Sequence, residues 1–353
     1  MQKRFTTTAA LTGLLLSLWT LSALAQSGEE QTPACPLPEA RQFDFWIGEW
    51  DVQNWHRNPQ MPDDATWFGT GKATNRVYAI LDGCAVVEHW MGRLSYATVH
   101  GFSVRAYDPE QKQWVLVLYW PGPNGGTFGT LEGIFQHGRG EFFNDYTDAQ
   151  GQRIENRYSF SDISPTAFRW DAATSLDNRI TWRPGWIMEF SKRDPLLDLP
   201  LFNGPTRSYD WCTVPEARTF DPFAGEWTGT EGEAAVTVKA YPILNGCAMM
   251  DFTEIDAAPR PYKRFRVRAY DANRKVWVQY ALDNRNPVFE RTEGVFIEGA
   301  VSLLTPIQGE APLTRESWLP RSREIVLWKR ETSTDGGETW TTISEVELTK
   351  VKL

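Results

Sequence analysis

Residues for familiar polar chemistry are scarce in this 353-residue chain. Only four histidines occur, His56, His89, His100 and His137, and none forms H-x-H or H-E-x-x-H. Zinc spacing is therefore missing. No G-x-S-x-G string marks a serine nucleophile, and the four cysteines include no C-x-x-C. The glycine-rich "PGPNGGTFGT" (Pro121 to Thr130) is followed by no helical pattern, so it reads as a loop rather than a phosphate cradle. No Lys/Arg cluster stands out against a net charge of −9, which argues against nucleic acid and anionic membrane surfaces. Past the first 25 residues no apolar run approaches roughly 20 residues, so no membrane span is predicted. No stretch reads as an amphipathic helix.

The chain is rich in aromatics, at 13% with seventeen Trp. It opens with Lys3 and Arg4, then the apolar stretch Ala9 to Leu24, then Ala23-Leu24-Ala25. That order predicts a signal peptide over residues 1–25, cleaved after Ala25, and hence a periplasmic or secreted protein. No Cys follows the cleavage site to carry a lipid. The remaining length, about 330 residues, suggests two domains.

A tandem repeat supports that division. "CPLPEARQFDFWIGEW" (Cys35 to Trp50) returns as "CTVPEARTFDPFAGEW" (Cys212 to Trp227), and "AILDGCAVV" (Ala79 to Val87) as "PILNGCAMM" (Pro242 to Met250). "FSVRAYDPEQKQWV" (Phe102 to Val115) returns as "FRVRAYDANRKVWV" (Phe265 to Val278), and "LEGIF" as "TEGVF". The unit is far longer than a solenoid repeat or propeller blade. The first domain is predicted over 35–192, a Pro/Gly-rich linker over 193–211 and the second domain over 212–353. β-branched and aromatic runs alternate with turn signals such as "YDPEQKQ" and "YDANRK". The expected fold is all-β, two tandem antiparallel β-barrels, because closure removes exposed strand edges.

Near the C-terminus "STDGGETW" (Ser333 to Trp340) matches the Asp-box pattern, which reads as a tight β-hairpin rather than a glycosidase signature. Its counterpart "SLDNRITW" (Ser175 to Trp182) lacks the glycines and is expected to have decayed. Four cysteines allow three pairings. The repeat favours Cys35–Cys84 and Cys212–Cys247, each loop stabilising by about 4 kcal/mol on the chain-entropy model.

"FDFWIGEWDV" (Phe43 to Val52), "ILDGCAVVEHW", the "YDP…W" hairpin and "STDGGETW" together resemble a family of bacterial lipocalin-like (calycin-like) proteins, most with no assigned function. The resemblance covers nearly the whole chain after the leader, twice. It implies an antiparallel barrel with an internal cavity, with Gly48-Glu49-Trp50 and Gly225-Glu226-Trp227 near a closed end. The second copy departs from it: Pro222-Phe223 replaces Phe45-Trp46, and "VEHW" becomes "MDFT".

Strand alternation puts Val86, Glu88 and Trp90 on one side, matched by Met249, Asp251 and Thr253. If that side faces a cavity, Glu88 and Asp251 orient a polar ligand or act as general acid and base. If it faces water, they are ordinary surface acids. Arg105 and Arg268 are possible partners for those carboxylates, or cover an aromatic ring. Tyr119 and Trp120, with Tyr280, are candidate pocket walls beside Trp90. Haem held by His89 is a remote alternative, since the second copy has Phe252 there; no metal or cofactor is expected. Three readings remain open. They are binding of a small, mostly apolar ligand, acid/base catalysis on an apolar substrate, and a protein-interaction module with solid barrels.

Overall fold

The computed structural model describes residues 35–57, 67–94, 98–122, 125–193, 214–258, 260–297, 300–305 and 312–351. The predicted leader, Cys212 and nearly all of the predicted linker lie outside the described residues.

Two closed antiparallel barrels of ten strands follow one another. The first begins with β1 (Gly48–His56), β2 (Phe68–Ile80), β3 (Ala85–Leu94), β4 (Thr98–Asp108) and β5 (Gln113–Gly122). It continues through β6 (Gly125–Gln136), β7 (Arg139–Thr147), β8 (Arg153–Ser161), β9 (Ala167–Ser175) and β10 (Arg183–Lys192). The second begins with β11 (Gly225–Glu231), β12 (Ala234–Ile243), β13 (Ala248–Ile255), β14 (Tyr262–Asp271) and β15 (Val276–Asp283). It ends with β16 (Glu290–Ile297), β17 (Ala300–Leu304), β18 (Leu313–Pro320), β19 (Ile325–Ser333) and β20 (Thr341–Lys350). Each strand pairs with its sequence neighbours. β1 also meets β10, and β11 meets β20, so neither barrel has a free edge.

Inside each barrel a short 3-10 turn before the first strand delivers aromatic rings. Phe43 and Trp46 are buried, and the Phe43 ring lies 4.7 Å from Trp114 and 5.3 Å from Phe160. Trp50 Nε1 donates to Trp46 O at 2.7 Å, and in the second copy Trp227 Nε1 donates to Phe223 O at 2.8 Å. A buried indole N–H thus keeps a partner in both copies.

The barrels share one apolar cluster. Outward-facing Val87, Phe102, Val104, Val117 and Tyr119 of the first pack with Phe265, Val267, Val278, Tyr280 and Leu282 of the second. Asp82 reinforces the contact, accepting from Lys263 Nζ at 2.5 Å and Asn284 Nδ2 at 3.0 Å. Strand β4 is consequently buried on both faces.

Cys35 and Cys84 form a disulfide with Cα atoms 5.0 Å apart. Cys247 is also disulfide-bonded, while its expected partner Cys212 lies outside the described residues. The Asp-box turn is built the same way twice. Asp335 accepts from Thr339 N at 2.9 Å and Thr339 Oγ1 at 2.5 Å; Asp177 accepts from Thr181 N at 2.9 Å and Thr181 Oγ1 at 2.6 Å. The expectation that the first copy had decayed is corrected. Asn178 (φ 56°) and Arg179 (φ 66°) occupy the left-handed region that Gly336 (φ 75°) and Gly337 (φ 97°) take in the second copy. The side-chain bonds hold the turn without glycine.

Candidate functional site

Glu88 and Asp251 point into their barrels, 8% and 1% exposed. The surface-acid reading is therefore corrected. Glu88 accepts from Asn75 Nδ2 and Ser103 Oγ at 2.5 Å and from Arg105 Nη2 at 3.0 Å. Arg105 lies against the Trp46 ring, its guanidinium carbon 4.0 Å from the ring centre. Burial lowers its pKa to about 10 against the opposing pull of Glu88, so it stays cationic at neutral pH.

In the second barrel the same strand reads Arg264, Arg266 and Arg268, all inward and buried. Asp251 bridges Arg268 and Arg266, the latter at 2.7 Å. Glu316 holds the other side of Arg266 at 2.5 Å and accepts from Trp328 Nε1 at 2.6 Å and Gln279 Nε2 at 3.0 Å. Burial alone raises the Glu316 pKa, but Arg266, Arg264, Arg268 and the Trp328 N–H outweigh it and hold it down to about 2. Arg266 and Arg268 shift oppositely for a local reason. Burial lowers both, yet Arg266 faces both Asp251 and Glu316 and ends raised, whereas Arg268 touches Asp251 alone, is repelled by Arg266 and ends lowered.

The two mouths differ more than the floors. In the first barrel Trp90, Trp120, Trp170 and Trp186 form a ring plug, with centroids 5.6 Å apart for Trp90–Trp120, 5.8 Å for Trp120–Trp186 and 5.3 Å for Trp170–Trp186. Small residues make room for it. Gly101 lies across from Trp90, and a Cβ there would come 2.7 Å from the Trp120 ring. Ala172 lies across from Trp186. Beneath the plug only about 30 Å³ stays open beside Glu88, Arg105 and Tyr158, room for a water molecule rather than an organic ligand.

The second copy reverses each pairing. Thr253 and Asp283 stand where Trp90 and Trp120 stood, and Arg264 replaces Gly101 between them. Ser344 replaces Trp186, and its neighbour Arg330 replaces Ala172. Only Trp170 keeps its ring, as Trp328. The result is an open pocket of about 340 Å³ bordered by Ile255, Tyr262, Arg264, Trp328, Arg330 and Ser344. That size is within the range of small-molecule sites.

The other candidates are distributed by alternation. Trp90, Trp120 and Arg105 share the first barrel's interior, and Arg268 sits deep in the second. Tyr119 and Tyr280 lie on the opposite faces of their strands, in the apolar cluster between barrels. The expectation that they wall a cavity with Trp120 is corrected, because adjacent strand residues face opposite ways. His89 is on the outer face of β3, its ring 5.3 Å from Phe102, so it does not reach into the barrel as a haem ligand would. Among the described residues no group of three or more His, Cys, Asp or Glu is placed to hold a metal ion. Arg264, Arg266, Glu316 and Arg330 were not singled out from sequence. The alternating arginines of "KRFRVRAY" were the available signal for the first two.

No protein-family model matches the chain, and no curated protein matches it. Among solved structures it is similar to a crystal structure of a protein of unknown function from the DUF3598 family of Nostoc punctiforme. The identity is 13%, the match covers 89% of this chain and 100% of that one, and the TM-score is 0.26.

Proposed function

We propose that this is an exported binding protein for a small molecule, with its site in the mouth of the second barrel and a first barrel that serves as a filled, structural partner. One observation carries the reading. Three tryptophans that plug the first mouth are exchanged in the second for Thr253, Asp283 and Ser344, beside an open pocket of about 340 Å³. Ile255, Tyr262, Trp328 and Ile343 offer apolar wall for a ligand body, while Arg264 and Ser344 offer donors. The sequence resemblance to lipocalin-like barrels is in keeping with this role, and the N-terminal leader pattern with export.

Acid/base catalysis has less support. A general acid or base must reach its substrate, and Glu88 and Asp251 are instead clamped by arginines below the mouths. The test is ligand-observed NMR with a panel of small aromatic and aliphatic compounds. Compounds that bind the wild type are expected to lose binding in the double variant Ser344→Trp/Arg330→Ala, which installs the pair found in the first barrel. Unchanged binding in that variant, with its fold intact by circular dichroism, would refute the location.

A further inference from the structure

Resting on the reading of this mouth as the binding site, we infer that its ligand is a small zwitterion with an apolar body, of the amino-acid class. Unpaired buried donors border the pocket, and carboxylates border it too. Arg264 is 4% exposed, and while its Nη2 holds Glu290 at 2.6 Å, its Nε has no hydrogen-bond partner. Ser344 Oγ is likewise buried without a partner. Both border the pocket, as does Arg330, whose contact to Glu290 is a long 3.5 Å. Buried donors left unpaired cost free energy that an accepting ligand recovers. A carboxylate is the acceptor that suits a guanidinium N–H and a hydroxyl together.

The opposite sign is also present. Glu231 borders the same pocket, and among the described residues its side chain takes part in no hydrogen bond or ion pair. Asp283 faces it too, with Oδ2 taking the Tyr262 hydroxyl at 3.2 Å and Oδ1 taking the backbone N–H groups of Arg285 and Asn286. Arg264, Arg285 and Arg330 are thus matched by Glu231, Asp283 and the Glu290 behind them. A guest of one sign would unbalance this half-enclosed set, and an unbalanced charge removed from water is costly. A guest carrying both signs leaves it balanced. Its carboxylate is received by Arg264, Arg330 and Ser344, its ammonium by Glu231, and its apolar body rests against Trp328 and Ile255.

The experiment is isothermal titration of the full chain with four probes that share one ring. They are L-phenylalanine, phenylacetate without the ammonium, phenethylamine without the carboxylate, and benzyl alcohol with neither. L-phenylalanine is expected to bind at least tenfold tighter than any other. Glu231→Gln should remove its advantage over phenylacetate and Arg330→Gln its advantage over phenethylamine. Equal or tighter binding of a single-charge or neutral probe at this mouth would overturn the zwitterion while leaving the pocket assignment standing. If no probe binds and no compound of the NMR panel binds either, both fall.

Discussion

Glu316 offers the sharpest test of how the second barrel is held together. The residue is 4% exposed, and its carboxylate receives Arg266, Gln279 and Trp328 at once. The side chain is held down to about 2 from an ordinary 4.5. At about 1.4 kcal/mol per pH unit, that difference is worth roughly 3 kcal/mol of folding free energy. A carboxyl depressed by folding contributes fully above its unfolded value, and the contribution is lost as pH falls from about 4.5 towards about 2. Glu316→Gln keeps the shape and an acceptor for Trp328 but leaves the buried arginines short of one negative charge. Breaking a buried pair from one side costs about 3–5 kcal/mol. Urea unfolding followed by Trp fluorescence from pH 7 to pH 2.5 measures both quantities. The variant should be less stable at neutral pH, and the gap should shrink by most of its size at the acid end. A gap of constant size across that range would refute the assignment of the low pKa to Glu316.

Other consequences are simpler to read. Replacing Cys35 and Cys84 together by Ser should cost about 4 kcal/mol by removing a link across 49 residues, measured by urea unfolding without reductant. At the Asp-box turn, Gly337→Ala should destabilise by about 1–2 kcal/mol, because φ is 97° although the nearest atoms leave room at 3.6 Å. Asn178→Gly, at the matching turn, should be neutral or mildly stabilising, since its φ of 56° is already a glycine-like conformation. Thermal unfolding distinguishes the two. Lys263→Ala should loosen the barrel contact by removing one of the two partners of Asp82 and leaving Asn284 alone, seen as faster amide exchange in the Leu81–Gly83 turn with little change at Trp50.

The duplication and the strand content were legible because repeated strings and period-two alternation are local. Which face of β3 points inward was not. Val86 and Val87 are 1% and 2% exposed on opposite faces, since one fills the barrel and the other packs on the neighbouring barrel. Hydrophobicity gives no contrast when both faces are buried, so Glu88 and Asp251 read equally well as surface acids. The barrel-to-barrel contact that causes this joins residues far apart in sequence, such as Asp82 and Lys263. It also explains Tyr119 and Tyr280, which are aromatic for an interface rather than a pocket. Arg266 has Ser103 as its counterpart, so the repeat itself carries no sign of it. The pocket itself lies in what the copies do not share, three tryptophans traded for short side chains; the sequence shows the exchange at Trp90, but not that Trp90, Trp120 and Trp186 meet from three strands.

On the proposed function, the second mouth binds and the first does not. The most direct measurement is a nitrogen-15 NMR titration of the full chain with a ligand from the panel, following the tryptophan indole N–H signals assigned by single Trp→Phe variants. Trp328 is expected to move while Trp90, Trp120 and Trp186 stay in place. Movement confined to those three, with Trp328 unchanged, would contradict the proposed function.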